Sequence, residues 1–189
     1  MELTREIMLD LLVELDDELA LYGITGEVAL FGGSALCLAY GLRESTHDVD
    51  AYFQPSQGIR QAVTNIAKRH PGLGEDWLDD GVKDFLYTEP PLSTVWQGTH
   101  LRVTAPSREY LLAMKLAIMR TGENSPDLHD ALALCKSLGI TSSDQALAVA
   151  SQWVPWDVIP LRSRYLLMEG LGSCFPGTTC LLQRISTSF

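Results

Sequence analysis

The chain has 189 residues, and its 24 acidic and 14 basic residues give a formal net charge of -10. A chain without a surplus of lysine and arginine releases few counterions from a polyanion, which argues against nonspecific nucleic-acid binding. Hydrophobic residues make up 46% of the sequence and charged residues 20%, which is typical of a folded protein, and the length suits one well-packed domain.

The N-terminal sequence and the cysteine spacing indicate where the protein resides and whether it carries a zinc site or disulfide bonds. No apolar run approaches the roughly 20 residues that span a bilayer, and the first ten residues are charged where a signal peptide needs an apolar segment. We therefore expect a cytoplasmic protein with no membrane partner. The cysteines show neither a zinc-binding spacing nor a dense disulfide framework; they are Cys37, Cys135, Cys174 and Cys180.

Hydrophobic periodicity predicts alternating helices and strands in the first half of the chain. Apolar residues on one helical face indicate amphipathic helices, and alternation of polar and apolar residues indicates a strand. The predicted elements are a helix over 4–22, a strand over 27–31, a helix from Ser34 to Gly41, a strand over 48–53 and a helix over 57–69. Asp48 and Asp50 are two positions apart in a predicted strand, so their side chains point to one face.

In the second half of the chain, the sequence pattern predicts a β-hairpin followed by helices. Gly98 and Thr99 separate two short strands in what reads as a tight turn. The predicted elements are strands over 93–97 and 100–104, then helices over 107–120, 126–138, from 142 onward and over 160–172. Ser142 and Gln145 predict a capping box. We divide the chain into a core over 1–137, a helical extension over 138–171 and an irregular tail over 172–189.

The glycines and aspartates between Phe31 and Phe53 suit a phosphorylated ligand. Glycines after a strand let backbone N–H groups approach a phosphate, and a helix that begins at Ser34 offers its positive end to the same anion. Two neighbouring carboxylates such as Asp48 and Asp50 commonly hold Mg²⁺ beside substrate phosphates. The alternative is a plain turn followed by an exposed edge strand with two ordinary surface acids.

This pattern resembles the signature of the nucleotidyltransferase superfamily, whose polymerase-β-like core carries a glycine or serine turn before an Asp-x-Asp. Together with "YLLAMKLAIMR" and "DLHDALAL", it is similar to minimal nucleotidyltransferases related to AbiEii-type toxins of toxin–antitoxin systems. The resemblance covers about residues 27–137. It implies an α/β (α+β) fold, in which a small mixed β-sheet has flanking helices and a helical C-terminal region follows.

The resemblance also implies roles for the matching residues. Asp48 and Asp50 would hold the Mg²⁺ ions, Lys115 would bind the triphosphate, and Asp130 would be the distal acidic residue, with Asp127 as its rival. The implied nucleotide contacts are Gly32, Gly33, Ser34, Arg43, Thr46 and Lys115.

One departure from the superfamily pattern concerns a third carboxylate. Full polymerase-like members carry it on a strand near the middle of the domain, where it acts as base on the incoming hydroxyl. The predicted strand over 100–104 has none. Asp76, Asp79 and Asp80 lie in a loop-like run and could substitute for it.

These observations predict an Mg²⁺-dependent enzyme that moves NMP from an NTP to a hydroxyl acceptor and releases pyrophosphate. The acceptor could be a tRNA 3′ end, a protein side chain or a small molecule, and a role as a toxin would imply an antitoxin protein as partner. One alternative is a catalytically silent protein of the same fold that binds a nucleotide or a protein partner. Another is a phosphohydrolase that uses the same aspartates.

Overall fold

The structure, a computed structural model, describes residues 1–120 and 126–172. Its strands are β1 (Leu3–Thr4), β2 (Gly26–Leu30), β3 (Ser45–Thr46), β4 (Val49–Gln54), β5 (Leu78–Asp79), β6 (Leu92–Gln97) and β7 (Leu101–Pro106). Its α-helices are α1 (Arg5–Leu21), α2 (Gly32–Leu38), α3 (Ser56–Arg69), α4 (Arg108–Ala117), α5 (Pro126–Ser137), α6 (Ser143–Ala150) and α7 (Leu161–Gly170). In this part of the chain no helix has the length and apolar character needed to cross a membrane.

The described strands form a mixed sheet in the order β5-β4-β2-β7-β6, and β1 pairs separately with β3. The central strand β2 runs antiparallel to β4 and parallel to β7. At one edge β7 and β6 form the predicted hairpin, and at the other edge β4 pairs in parallel with the two-residue strand β5. The predicted mixed sheet with flanking helices is therefore confirmed.

The two faces of the sheet pack against different sets of side chains. Val28 and Phe53 point into the main core, to which helices on that side also contribute. On the opposite face, Phe31 belongs to a smaller cluster that includes Tyr110 and Met114 of α4. Since side chains alternate along a strand and Phe53 lies in the main core, Asp50 lies on the face of the smaller cluster.

Helix α2 begins two residues earlier than the sequence predicts. The sequence predicts that Gly32 and Gly33 form a turn that precedes the helix. In the structure these glycines form the first turn of the helix, and Phe31 is the N-cap residue in an extended conformation. Gly32 has a φ of +49°, a left-handed conformation that glycine adopts without steric strain. A positive φ lets the chain enter the helix directly from β2, which is why the prediction that the helix starts at Ser34 is wrong.

The C-terminal helices follow their predicted patterns with one difference at a cap. The Ser142 hydroxyl accepts a hydrogen bond from the Gln145 backbone N–H at 3.3 Å, as predicted. The Gln145 side-chain oxygen accepts from the backbone of Thr141 rather than from Ser142, so the capping box is half formed. The domain division at residue 137 stays a prediction, and so does the tail, because 173–189 lie outside the described residues.

Candidate active site

An acidic edge is formed where β4 and β5 pair; we use this name for Asp48, Asp50 and Asp79. Asp50 and Asp79 are direct partners across the parallel ladder, so their side chains emerge on the same face. Asp48 precedes β4 by one residue and is exposed. Within the described residues, neither Asp48 nor Asp50 accepts a side-chain hydrogen bond or forms an ion pair, and Asp79 accepts one bond, from the Gly81 backbone N–H at 3.1 Å.

The electrostatics of the acidic edge disfavour negative charge on Asp50. Burial raises the pKa of the Asp50 carboxyl, and the neighbouring Asp48 and Asp79 raise it further, while Lys115 and Arg120 pull it back down. A carboxylate in such surroundings ionises more readily when a cation binds beside it. The acidic edge is therefore suited to a cation that arrives with a ligand.

The first turn of α2 lies directly against Asp50. A Cβ atom built on Gly32 would overlap the Asp50 carboxylate, so glycine is required for this approach as well as for the backbone conformation. The buried Ser34 hydroxyl donates to the Phe31 carbonyl at 2.8 Å and lies 3.2 Å from the Asp50 carbonyl. Ser34 thus fastens the turn to β4, and its contact with a phosphate stays a prediction.

A cavity of about 600 Å³ opens beside the acidic edge. This volume lies in the range of roughly 300 to 1,000 Å³ that is usual for small-molecule sites. Its lining combines acidic, basic and apolar side chains with the glycine turn: Gly32, Asp50, Asp79, Val82, Leu111, Met114, Lys115, Ile118 and Arg120 are among them. A cavity of this composition can hold a ligand with one apolar part and one phosphorylated part.

A second, smaller cavity of about 300 Å³ lies next to the first. Its lining includes His47, Asp48 and Asp76, and it shares Asp79 with the larger cavity. Among the three aspartates left open as a third carboxylate, only Asp79 is paired in register with Asp50. The Asp80 carboxylate is instead bound by Arg60 and Lys83, at 2.5 and 2.6 Å.

The other charged residues predicted for the site form an ionic network, defined here as Arg43, Lys115, Arg120, Asp127 and Asp130. The Lys115 ammonium lies 2.9 Å from Asp127 and 2.8 Å from Asp130, and its side chain is 9% exposed. Arg43 reaches the same Asp130 oxygen at 3.3 Å. The second oxygen of Asp127 accepts from the backbone N–H of Arg120 at 2.9 Å and from its Nε at 3.2 Å. The network ties α4 and α5 to the link between α2 and β3.

Hydrogen bonding sets the ionisation of Asp127 in this network. Burial acts to raise the pKa of its carboxyl, but the hydrogen bonds from Lys115 and from the Arg120 backbone hold it at about 2. Asp127 therefore stays ionised over the physiological range, as a counterion for the two basic residues.

The predicted site residues thus divide into two groups. Asp50, Lys115 and Gly32 line the larger cavity, and Asp48 lines the smaller one. Gly33, Arg43 and Thr46 lie together at the ionic network, since a Cβ on Gly33 would lie 2.8 Å from both Arg43 Nη1 and Thr46 Oγ1, whereas Ser34 is bonded to the Phe31 carbonyl beside Asp50. Gly33 therefore makes room for the approach of Arg43 to its partners.

Sequence reasoning left Asp79 undecided and gave Arg120 no role, although both line the larger cavity. Asp79 lies on a strand of two residues, too short to produce an alternating pattern. Arg120 follows the end of α4, and the nearest signal was its place five residues after Lys115 in the quoted helix motif.

The donor set of the acidic edge fits Mg²⁺ held together with a substrate. In the described part of the chain, no three histidine, cysteine, aspartate or glutamate side chains converge closely enough to hold a metal by themselves. Mg²⁺ usually binds through one or two carboxylates, several waters and substrate phosphates rather than an all-protein cage. Asp50 and Asp79, adjacent and without a basic partner in the described residues, meet this requirement.

The glycine turn packed against a strand aspartate of a mixed sheet is the arrangement that the resemblance to nucleotidyltransferases implies. A family model described as "Nucleotidyltransferase of unknown function (DUF6036)" matches residues 10–138, more than half of the chain and the whole of the five-stranded sheet. The chain belongs to this family. Neither the curated proteins nor the solved structures gave a match to the chain.

Proposed function

We propose that the protein is an Mg²⁺-dependent nucleotidyltransferase that moves NMP from an NTP to an acceptor hydroxyl. The observation that carries this proposal is the in-register pair of Asp50 and Asp79 at the wall of the larger cavity. Two adjacent carboxylates repel each other unless a cation neutralises them. The reaction type in this proposal comes from the description of the family as a nucleotidyltransferase.

We assign a role to each residue of the acidic edge on the basis of where its side chain lies. Asp50 and Asp79, with Asp48 beside them, would hold Mg²⁺, which when bound would neutralise charge on the triphosphate. Asp79 supplies the third carboxylate that β7 lacks, and it borders both cavities. It would take the proton of an acceptor hydroxyl that enters from the smaller cavity. The hydroxyl oxygen then bonds to the α-phosphorus, and the bond to the leaving pyrophosphate breaks.

The chemistry of the smaller cavity bears on the acceptor. Asp48, Asp76 and Asp79 line it, and the described lining contains no lysine or arginine. Acidic walls and a net charge of -10 repel a polyanion, so we favour a protein side chain or a small molecule over a tRNA 3′ end. The resemblance to AbiEii-type enzymes supports the further proposal of a toxin with an antitoxin protein as partner.

One observation favours the alternative of a catalytically silent protein that binds a nucleotide or a protein partner. The Lys115 ammonium, which the resemblance assigns to the triphosphate, is held by two buried carboxylates. If no other basic group contacts the triphosphate, the protein would retain the fold without efficient transfer.

The test is calorimetric titration of each of the four NTPs, with Mg²⁺ and then with EDTA, into wild type, Asp50→Asn and Asp10→Asn. Asp10 is an exposed aspartate on α1 and makes the same chemical change away from the site. We expect Mg²⁺-dependent binding of at least one NTP, lost in Asp50→Asn and kept in Asp10→Asn. Absence of Mg²⁺-dependent binding in wild type would contradict the proposal.

Product analysis then separates the reaction classes. An acceptor-dependent release of pyrophosphate supports transfer, whereas free phosphate would indicate a phosphohydrolase. Binding that depends on Asp50 but yields neither product with hydroxyl compounds, peptides or tRNA would favour the silent protein.

A further inference from the structure

Two basic residues that line the larger cavity differ in how available they are to a ligand. The Lys115 side chain is 9% exposed, and its ammonium is shared between Asp127 and Asp130. The Arg120 side chain is 79% exposed, and among the described residues its ion-pair partner is Asp127. That contact uses the backbone N–H and Nε, and neither Nη group donates to another residue within 1–120 and 126–172.

We propose that Arg120 is the residue that binds the triphosphate, and that Lys115 is a positioning residue that acts on it through Asp127. This inference rests on the proposed function and names the recognition element of the same site. It departs from the role that the resemblance implies for Lys115.

The first argument concerns what Lys115 would have to give up. Its ammonium is held between Asp127 and Asp130, which are 4% and 2% exposed, so Lys115 can offer a phosphate at most one of its three N–H groups unless it leaves these carboxylates. Removing the shared cation leaves buried carboxylates with incomplete compensation, which is strongly unfavourable. Lys115 is therefore a poor candidate for a contact that must form and break in every catalytic cycle.

The second argument concerns where Arg120 lies. Arg120 lines the same cavity as Asp50 and Asp79, so a phosphate chain held by Mg²⁺ at the acidic edge would share that cavity with Arg120. Free Nη groups form the planar fork that suits phosphate oxygens, which accept two parallel hydrogen bonds from one arginine. The exposure of Arg120 lets it bind an anion without first breaking a buried ion pair.

The third argument explains why Lys115 is held as it is. Lys115 contacts Asp127 Oδ1, whereas Arg120 contacts Asp127 Oδ2 through both its backbone and its Nε. The carboxylate is thus fixed from one side by Lys115, and its other oxygen orients the guanidinium stem. Because Asp127 is contacted through the backbone N–H and Nε, the Nη groups remain available to a ligand within the described part of the chain.

The test compares nucleotides that differ only in phosphate number. We would use the NTP that binds wild type most tightly, with its diphosphate and monophosphate, all with Mg²⁺, on wild type, Arg120→Gln, Arg120→Lys and Arg102→Gln. Arg102 is a surface arginine on β7 paired with Glu27, so Arg102→Gln makes the same change in charge. Thermal unfolding of each variant checks that the fold is kept.

We expect Arg120→Gln to weaken triphosphate binding about tenfold or more, as for loss of a charge-assisted pair, and to leave monophosphate binding nearly unchanged. Arg120→Lys should keep part of the preference for triphosphate over monophosphate, because lysine keeps the charge but lacks the planar pair of Nη donors. Arg102→Gln should keep the whole preference. If wild type prefers the triphosphate and Arg120→Gln keeps that preference, the inference is wrong while the proposed function stands. If wild type binds no nucleotide, both fail.

The role of Lys115 is tested by the ratio of triphosphate affinity to monophosphate affinity. A purely structural role of Lys115 would leave this ratio unchanged. Lys115→Met should reduce the preference for triphosphate over monophosphate at a temperature where the variant is folded, and Lys115→Arg should restore part of it. A folded Lys115→Met that loses the whole preference, beside an Arg120→Gln that keeps it, would reverse the assignment. An unchanged ratio in folded Lys115→Met would refute the positioning role.

Discussion

The acidic edge and the ionic network both contribute residues to the larger cavity, but their charges are compensated in opposite ways. In the network, Lys115 is shared by Asp127 and Asp130, and arginines complete the pairing. In the acidic edge, Asp50 lies beside two further carboxylates, and none of the three has a basic partner in the described chain. The paired charges hold helices together, and the unpaired ones are available to a ligand.

The pKa values reflect this contrast. Hydrogen bonds hold the pKa of Asp127 at about 2 against the effect of burial. Burial and neighbouring aspartates raise the pKa of Asp50 instead. Unpaired charge that lowers stability in the free protein is typical of sites that bind charged ligands.

The largest effect is expected when the network loses its shared cation. Lys115→Met leaves Asp127 with Arg120 and Asp130 with Arg43, so both carboxylates are only partly compensated. Breaking a buried ion pair typically lowers the free energy of unfolding by 3–5 kcal/mol, and the remaining partners place this case near the lower end, about 3 kcal/mol. Urea unfolding of the two proteins measures the difference.

The matched control is Lys136→Met on α5, where the lysine is exposed and should contribute less than about 0.5 kcal/mol. Equal stability of Lys115→Met and Lys136→Met would show that the network does not hold the helices. The contrast drawn between the two regions would then be lost.

Much of the fold could be predicted because its signals are local. The amphipathic pattern of α1 and the turn at Gly98 each depend on residues close in sequence, and both agree with the structure. The start of α2 was missed because a positive φ at Gly32 depends on how the turn packs against β4. The pattern "FGGSAL" alone is compatible with either start.

The candidate site was less predictable because its geometry depends on long-range contacts. Asp79 becomes a neighbour of Asp50 only through the pairing of β5 with β4, and a strand of two residues carries no periodicity. Lys115 looks like a free cation in the sequence, yet Asp127 and Asp130 come from another helix to bind it. Sequence spacing identified the residues but not which of them neutralise one another.

A second prediction concerns a substitution in the backbone turn that packs against the acidic edge. Gly32→Ala should lower the free energy of unfolding by about 1–2 kcal/mol, because L-residues disfavour a positive φ, and its Cβ should displace the Asp50 carboxylate. We expect Mg²⁺-dependent NTP binding to weaken about tenfold, equivalent to roughly 1.4 kcal/mol. Calorimetry and urea unfolding of the same preparation measure both effects.

Gly23→Ala provides the control for this substitution. Gly23 has a φ of +64°, and a Cβ there would meet nothing within 4 Å, so it carries the backbone penalty without the contact. It should lose stability and keep nucleotide binding. If Gly23→Ala weakens binding as much as Gly32→Ala does, the closeness of Gly32 to Asp50 has no functional meaning.

The smallest expected effect is a change in the pH dependence of stability, with opposite signs in the two regions. The folded-state pKa of Asp127 falls from its ordinary value of 3.8 to about 2, so Asp127 stabilises the fold above pH 3.8 and this contribution is lost as the pH falls to about 2. The pKa of Asp50 is raised, so its ionisation destabilises the fold at neutral pH, and protonation on acidification removes that penalty.

Asp127→Asn should therefore make the loss of stability on acidification shallower. Asp50→Asn should make this loss steeper and should raise stability at pH 7. Urea unfolding between pH 7 and pH 2 measures both slopes. Slopes that shift in the same direction would mean that the two regions do not differ in how their charges are compensated.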